Sequence, residues 1–381
     1  LKYNIPTTVD SRPKGYPLNN RFQLAQTKFA FLSATPQHHP GEHDSLKKWS
    51  AIILVFGLLA LTAGWLAYVD LIRYAAAPSE SGGRPEKKIV AIEKGQNFRQ
   101  TTLLLQSQQL IDHPFKFRLL ARLQGKDKLI QAGEYLLSAG MPPGAILEVL
   151  VNGKVRLYKV TVPEGSTLKQ IAAIVENAGL ATRAAFLSAA TDADFVREKG
   201  IDAETFEGYL FPETYFFPKN TAAREVITAM VDRFRSVFTE TWKKRAADIG
   251  LSVHQILTLA SIIEKETGAP SERPTISSVF HNRLRRGMRL ETDPTVIYGI
   301  DDFDGNLTRK HLATHTPYNT YLINGLPPGP IANPGRAAIE AALYPADTAY
   351  LYFVSKKDGT HQFSTTFADH KRAILTYQLK K

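Results

Sequence analysis

Glu264 and Glu266 stand in His254-Gln-Ile-Leu-Thr-Leu-Ala-Ser-Ile-Ile-Glu-Lys-Glu-Thr267. Ser252 as a cap and Gly268 as a stop signal bracket a helix over this stretch. At about 100° per residue, Ile256, Leu259, Ala260, Ile263 and Thr267 share one apolar face. Glu264 falls at one border of that face, Glu266 at the opposite border, and Lys265 points away. The two carboxylates therefore diverge and form no close pair from this helix alone. A carboxyl at the edge of an apolar stripe loses hydration, which raises its pKa. Such a group is suited to donating and then accepting a proton near neutral pH. Ala260, one turn behind Glu264, is expected to leave room for a ligand. Ordinary solvated glutamates paired with Lys or Arg would show the same spacing.

Other stretches mix aromatic and polar groups. Glu207-Gly-Tyr-Leu-Phe-Pro-Glu-Thr-Tyr-Phe-Phe217 is rich in both. Sugar rings offer apolar faces for stacking and hydroxyls for hydrogen bonds, so carbohydrate grooves combine these residue types; an aromatic corner of the core reads the same way. Asp293 precedes a proline, a turn position. Pro317-Tyr-Asn-Thr-Tyr321 and Gly325-Leu-Pro-Pro-Gly-Pro-Ile-Ala-Asn-Pro-Gly335 predict long irregular loops, which in a compact domain are usually functional or disordered. Phosphate-loop, dinucleotide and His-Glu-x-x-His patterns are absent. His311 and His315 lie four apart among turn residues, a poor metal site, and Ser261 and Ser364 lack a nucleophile elbow.

These groups need a scaffold. The chain has 381 residues, 44% hydrophobic, enough for one large or two modest cores. With 47 Lys+Arg against 36 Asp+Glu its net charge is +11, which favours polyanions without choosing among them. It has no cysteine, which excludes thiolate metal sites, a cysteine nucleophile and disulfides. Residues 1–48 are punctuated by Pro6, Pro13, Pro17, Pro36 and Pro40 and read as a disordered tail. Trp49 to Val69 is uncharged, with Trp49, Trp65 and Tyr68 near its ends, and is long enough to span a bilayer. The excess of Lys and Arg before it puts the N-terminus in the cytoplasm and everything after Asp70 outside. Residues 70–87 read as a linker.

An internal repeat follows. Val90-Ala-Ile-Glu-Lys-Gly95 and Phe98-Arg-Gln100 correspond at constant offset to Val160-Thr-Val-Pro-Glu-Gly165 and Leu168-Lys-Gln170, and each copy predicts strand, glycine turn and helix. Between the copies, Phe115–Leu123 and Pro143–Val151 read as helices and Ala132–Ala139 as extended. Further on, the spacing predicts one long amphipathic helix from Ala222 to Gly250, another from Ser271 to Arg286, a hairpin of Tyr350–Ser355 with His361–Ser364 about Lys357-Asp-Gly359, and a closing helix over Ala368–Gln378.

Taken together, Ala260-Ser-Ile-Ile-Glu-Lys-Glu-Thr267, Glu207-Gly-Tyr-Leu-Phe-Pro-Glu-Thr-Tyr215, Asp293-Pro-Thr-Val-Ile-Tyr298, Pro317-Tyr-Asn-Thr-Tyr321, Gly325 to Pro334 and Asp358 to His370 resemble the endolytic murein transglycosylases, the YceG-like family, in that family's order. The resemblance covers roughly Lys88 to the C-terminus. It implies an α+β protein: cytoplasmic tail (1–48), transmembrane helix (49–69), linker (70–87), LysM-like βααβ module (88–155) and mixed α/β catalytic domain (156–381), anchored in the bacterial cytoplasmic membrane with the catalytic part outside. It carries the family's catalytic glutamate onto Glu264. Tyr209, Glu213, Tyr215, Asp293, Tyr298, Asn319, Tyr321 and Asn333 are our candidates for the glycan groove. The implied reaction cleaves MurNAc–GlcNAc β-1,4 bonds within strands and leaves 1,6-anhydro-MurNAc ends, ending the growth of nascent strands. It needs no metal or cofactor. The implied partners are glycan strands, the membrane and peptidoglycan synthases, with no role for nucleic acid. A non-catalytic peptidoglycan-binding scaffold and a hydrolase with a water-activating second carboxylate are the rival readings.

Overall fold

The computed structural model describes residues 42–78, 86–266 and 268–379. Most of the expected tail (1–41) and of the linker (79–85) lies outside the described residues. The chain divides into two units, 1–67 and 68–381. Helix α1 (Glu42–Ala76) extends two turns beyond the expected span at each end, because no proline falls between Pro40 and Pro78. Over Lys47–Ala76 it is long and apolar enough to cross a membrane, with a mean hydropathy of 2.3 and none of its apolar window buried by protein.

The second unit contains two hydrophobic cores. The smaller is built from strand β1 (Lys87–Ile92), helices α2 (Phe98–Ser107) and α3 (Pro114–Leu123), strand β2 (Gly133–Ser138) and helix α4 (Pro143–Val151). The strands pair antiparallel, Lys87 with Ser138 and Ile92 with Gly133. Val90, Leu105, Phe117, Tyr135, Ile146 and Leu150 fill the interior, and Leu71 from the last turns of α1 joins them.

The second copy of the repeat opens the larger assembly. Strand β3 (Leu157–Thr161) leads to α5 (Leu168–Asn177), α6 (Arg183–Ala190) and α7 (Ala193–Glu198), and strand β4 (Thr214–Pro218) returns antiparallel to β3, Thr161 opposite Thr214. The two copies start their helices alike: Asn97 with Gln100 and Thr167 with Gln170 form reciprocal capping boxes. In both, the turn glycine, Gly95 or Gly165, has positive φ (86° and 73°).

The segment 222–250 is two helices, α8 (Ala223–Val237) and α9 (Glu240–Asp248), not one. The chain bends at Phe238, ψ 79°. The Phe238 ring is 2% exposed and packs on Phe234 and Trp242, centroids 5.5 and 5.8 Å away. The i, i+4, i+8 aromatic spacing thus continues across the bend and hides it from periodicity.

Helix α10 (Val253–Glu266) starts where Ser252 and Gln255 exchange hydrogen bonds. It is not amphipathic in place: every residue from Ile256 to Ile263 is buried, as α9, α14 (Arg336–Leu343), α11 (Arg273–Arg285) and α12 (Asp293–Tyr298) pack around it. Ala260, expected to leave space for a ligand, is fully buried in this core. Asp293 opens α12 rather than sitting in a turn. Helix α13 (Arg309–Ala313) precedes a stretch from residue 314 to 335 without helix or strand. The hairpin is β5 (Tyr352–Ser355) with β6 (His361–Ser364), and α15 (Phe367–Ile374) ends in a wider π turn at Leu375–Leu379.

Candidate active site

Three polar side chains along α10 hold the proline- and glycine-rich loop before α14. His254 Nε2 donates to the Pro328 carbonyl (2.9 Å), and its Nδ1 is hydrogen-bonded with the Tyr209 hydroxyl (2.9 Å). Ser261 Oγ accepts from the Ile331 N–H (3.0 Å). Glu264 Oε2 accepts from the N–H of Gly335 (2.9 Å), the residue that opens α14. Its other oxygen accepts from Arg273 Nη2 (3.0 Å), at the start of α11. The Glu264 side chain is 7% exposed and that of Arg273 16%.

A second loop, between β3 and α5, closes over this carboxyl. Gly165 donates its N–H to the Asn333 carbonyl (2.9 Å), and the Asn333 N–H returns to Ser166 (2.9 Å). A Cβ on Gly165 would stand 3.4 Å from Glu264 Cγ. Glu164, one residue earlier, reaches across to Gly335: a Cβ there would stand 1.8 Å from Glu164 Oε1. Both glycines therefore make room for carboxyl groups. Partial burial and the neighbouring Glu264 charge push the Glu164 pKa up, with Arg273 opposing. Sequence reasoning missed Glu164 and Arg273. The signal for the first was in the repeat, where Glu164 stands at the position of Lys94.

Under both loops lies Glu207, 4% exposed. Its carboxyl accepts from the Leu168 N–H at the start of α5 (3.1 Å), Asn333 Nδ2 (2.7 Å) and the Tyr298 hydroxyl (3.2 Å). Burial pushes its pKa up to about 7, the hydrogen bonds opposing.

The candidate groove residues fall into several groups. Asn333 is fully buried; its amide accepts from Gly208 and Leu210 N–H and donates to Ser166 and Glu207, so it ties three loops together and is linked to Glu264 through their backbone. Tyr298 belongs to this group. Asn319, also fully buried, holds the turn after α13 through the Leu312 and Thr314 carbonyls. Tyr209 is 4% exposed against His254. Tyr215 donates to the Phe211 carbonyl (2.6 Å), and Glu213 is paired with Arg233. The exposed Asp293 accepts from the Tyr321 hydroxyl (2.7 Å). Asp293 lies beside Glu266, whose carboxyl, bonded to Thr292, is pushed up mainly by burial. Glu264 and Glu266 thus do serve separate clusters. The 207–217 segment is largely a core corner, with Tyr209, Phe211 and Phe217 buried and Phe216 exposed. A cleft of about 720 Å³ opens beside His254, Glu207, Tyr318 and Pro330, and Glu264 is not among its lining residues.

The fold and site describe a mixed α+β protein with one apolar N-terminal helix and an acid-bearing core helix crossed by two glycine loops. The chain belongs to the YceG-like family, whose profile matches residues 90–376. It is 35% identical over 304 residues to the endolytic murein transglycosylase of Bacillus subtilis, covering 76% of this chain and 84% of that protein. To the endolytic murein transglycosylase of Streptococcus pneumoniae it is 28% identical, covering 87% of this chain and 65% of that longer protein. The crystal structure of a yceG-like protein from Listeria monocytogenes superposes with a TM-score of 0.53 at 35% identity, over 76% of this chain and 99% of that one.

Proposed function

We propose that the chain is a lytic transglycosylase that cuts within murein glycan strands, with Glu264 as its acid/base. The enzyme class follows from the family and from the named activity of relatives that match most of the chain. The observation that carries the residue assignment is the nearly buried Glu264 carboxyl, fixed by two donors between two glycine-lined loops. In the reaction, protonated Glu264 gives its proton to the glycosidic oxygen, and the C1–O bond breaks with its electron pair going to the leaving GlcNAc. The C6 hydroxyl of the muramic acid then attacks C1 and returns its proton to Glu264, leaving a 1,6-anhydro end and consuming no water. Arg273 and the Gly335 N–H, both donors, stabilise the carboxylate formed midway.

On this reading α1 is a single-pass anchor with the catalytic part outside the cytoplasmic membrane, supported by the basic residues preceding the span. Residues 88–155 act as a LysM-like module, supported by the order β1–α2–α3–β2. Asp293, Tyr321, Tyr215 and Glu213 contact glycan, while the buried Tyr209, Tyr298, Asn319 and Asn333 act through the loops they hold. Cleavage close to the membrane would end nascent strands made by peptidoglycan synthases. The test is mass spectrometry of peptidoglycan digests. Glu264→Gln should release no anhydro-muropeptides while remaining folded; normal anhydro product from it overturns the assignment. A binding scaffold would release no fragments from either protein, and a hydrolase would leave free reducing ends.

A further inference from the structure

The loop between β3 and α5 brings a second acid to Glu264. Glu164 Oε1 lies against Gly335, the residue whose N–H binds Glu264 Oε2, so the two carboxyls are no more than about 7 Å apart. The other nearby acids on α10 and α12 are committed elsewhere: Glu266 to Thr292 and Asp293 to Tyr321. Glu164 is on the exposed side of the pair, where a sugar ring must enter, while Glu264 spends both oxygens on protein donors. The groups facing Glu164 are Glu264 from α10, Arg273 from α11, and Lys265, whose ammonium reaches toward the Gly165 carbonyl (3.5 Å).

We infer that Glu164 is a second catalytic residue, an anion that stabilises the positive charge developing on the muramic ring as its C1–O bond breaks. This rests on the transglycosylase reading of Glu264. The bond changes are those already given: Glu264 loses and regains one proton, C6 oxygen replaces the GlcNAc oxygen on C1, and Glu164 forms no bond. While the C1–O bond breaks, charge spreads over C1 and the ring oxygen, and a carboxylate held beside Glu264 lowers that barrier more than it lowers the energy of the neutral substrate. Gly335 is what permits this placement, since any side chain there would occupy the position of Glu164 Oε1.

The test uses the full-length chain in detergent on isolated glycan strands, with anhydro ends quantified by mass spectrometry. Glu164→Gln should lower kcat roughly 100-fold with KM within about threefold. Glu164→Asp should recover part of kcat. Because the role requires the ionised form, the acid limb of the wild-type kcat–pH profile should lie above the usual carboxylate range and disappear in Glu164→Gln. A Glu164→Gln kcat within about twofold of wild type overturns the inference. So does an equal loss in the Gln and Asp variants with the acid limb intact, which marks a structural role, and so do free reducing ends lost on Glu164→Gln, which mark water activation. Glu264→Gln runs beside them: if it is active, the acid/base assignment fails, and that failure is distinct from an unimpaired Glu164→Gln.

Discussion

Glu207→Gln tests the buried carboxyl beneath the site. Burial raises the Glu207 pKa to about 7 in the folded chain from its ordinary value of 4.5. The folded state then holds a proton that the unfolded chain releases, so stability is greatest below about pH 4.5 and falls as pH rises to about 7. The loss is about 3 kcal/mol in all, and about 2.5 kcal/mol between pH 5 and pH 8. Glutamine mimics the protonated acid: its oxygen can accept from Asn333 Nδ2 and the Leu168 N–H, and its amide can donate to the Tyr298 hydroxyl, which sits beside the other carboxyl oxygen. The variant should therefore gain about 2.5 kcal/mol relative to wild type on going from pH 5 to pH 8, whatever offset it shows at pH 5. Urea unfolding in detergent, followed by fluorescence, reads this. Of the three tryptophans, Trp49 and Trp65 are in α1 and Trp242 is buried in the large core. Other titrating groups cancel in the difference. A variant-minus-wild-type difference that stays constant from pH 5 to pH 8 would refute the assignment of a neutral Glu207 to the fold.

Two further outcomes follow from the same geometry. Glu266→Gln should keep much of the cleavage activity in digests, because Glu266 is held by Thr292 on the far border of α10 and glutamine can accept the same hydroxyl; an inactive Glu266→Gln would mean that the wrong carboxylate had been assigned. Gly335→Ala leaves the backbone unstrained (φ −77°, ψ 172°) and keeps the N–H to Glu264, but its methyl group takes the place of Glu164 Oε1. Its kcat should fall about tenfold or more while the melting temperature moves little, and wild-type turnover would refute a working role for the Glu164 position.

Short-range chemistry was legible in the chain. The Ser252 cap and the box at Thr167 and Gln170 start α10 and α5 where local hydrogen bonds dictate, and Lys357-Asp-Gly359 turns the hairpin where the residue types demand it. The constant offset between Val90 and Val160 correctly announced two units of strand, glycine turn and helix. The bend at Phe238 was not legible, since an aromatic every fourth residue buries equally well in one helix or in two packed at an angle. Nor was the environment of α10: a stripe of apolar residues shows that one face is buried, but whether the other faces are covered depends on helices from other parts of the chain, α14 the farthest among them.

The residue types and their spacing alone determined the apolar span, the repeat, the capped helix that carries Glu264 and its divergence from Glu266, because each depends on neighbours a few positions along the chain. Tertiary structure alone decided that Glu164 and Arg273 flank Glu264, that Glu207 lies dry beneath the loops, and that Asn319 and Asn333 are buried ties. Those outcomes depend on desolvation and on donors brought from distant segments, and neither quantity is written in any local stretch of residues.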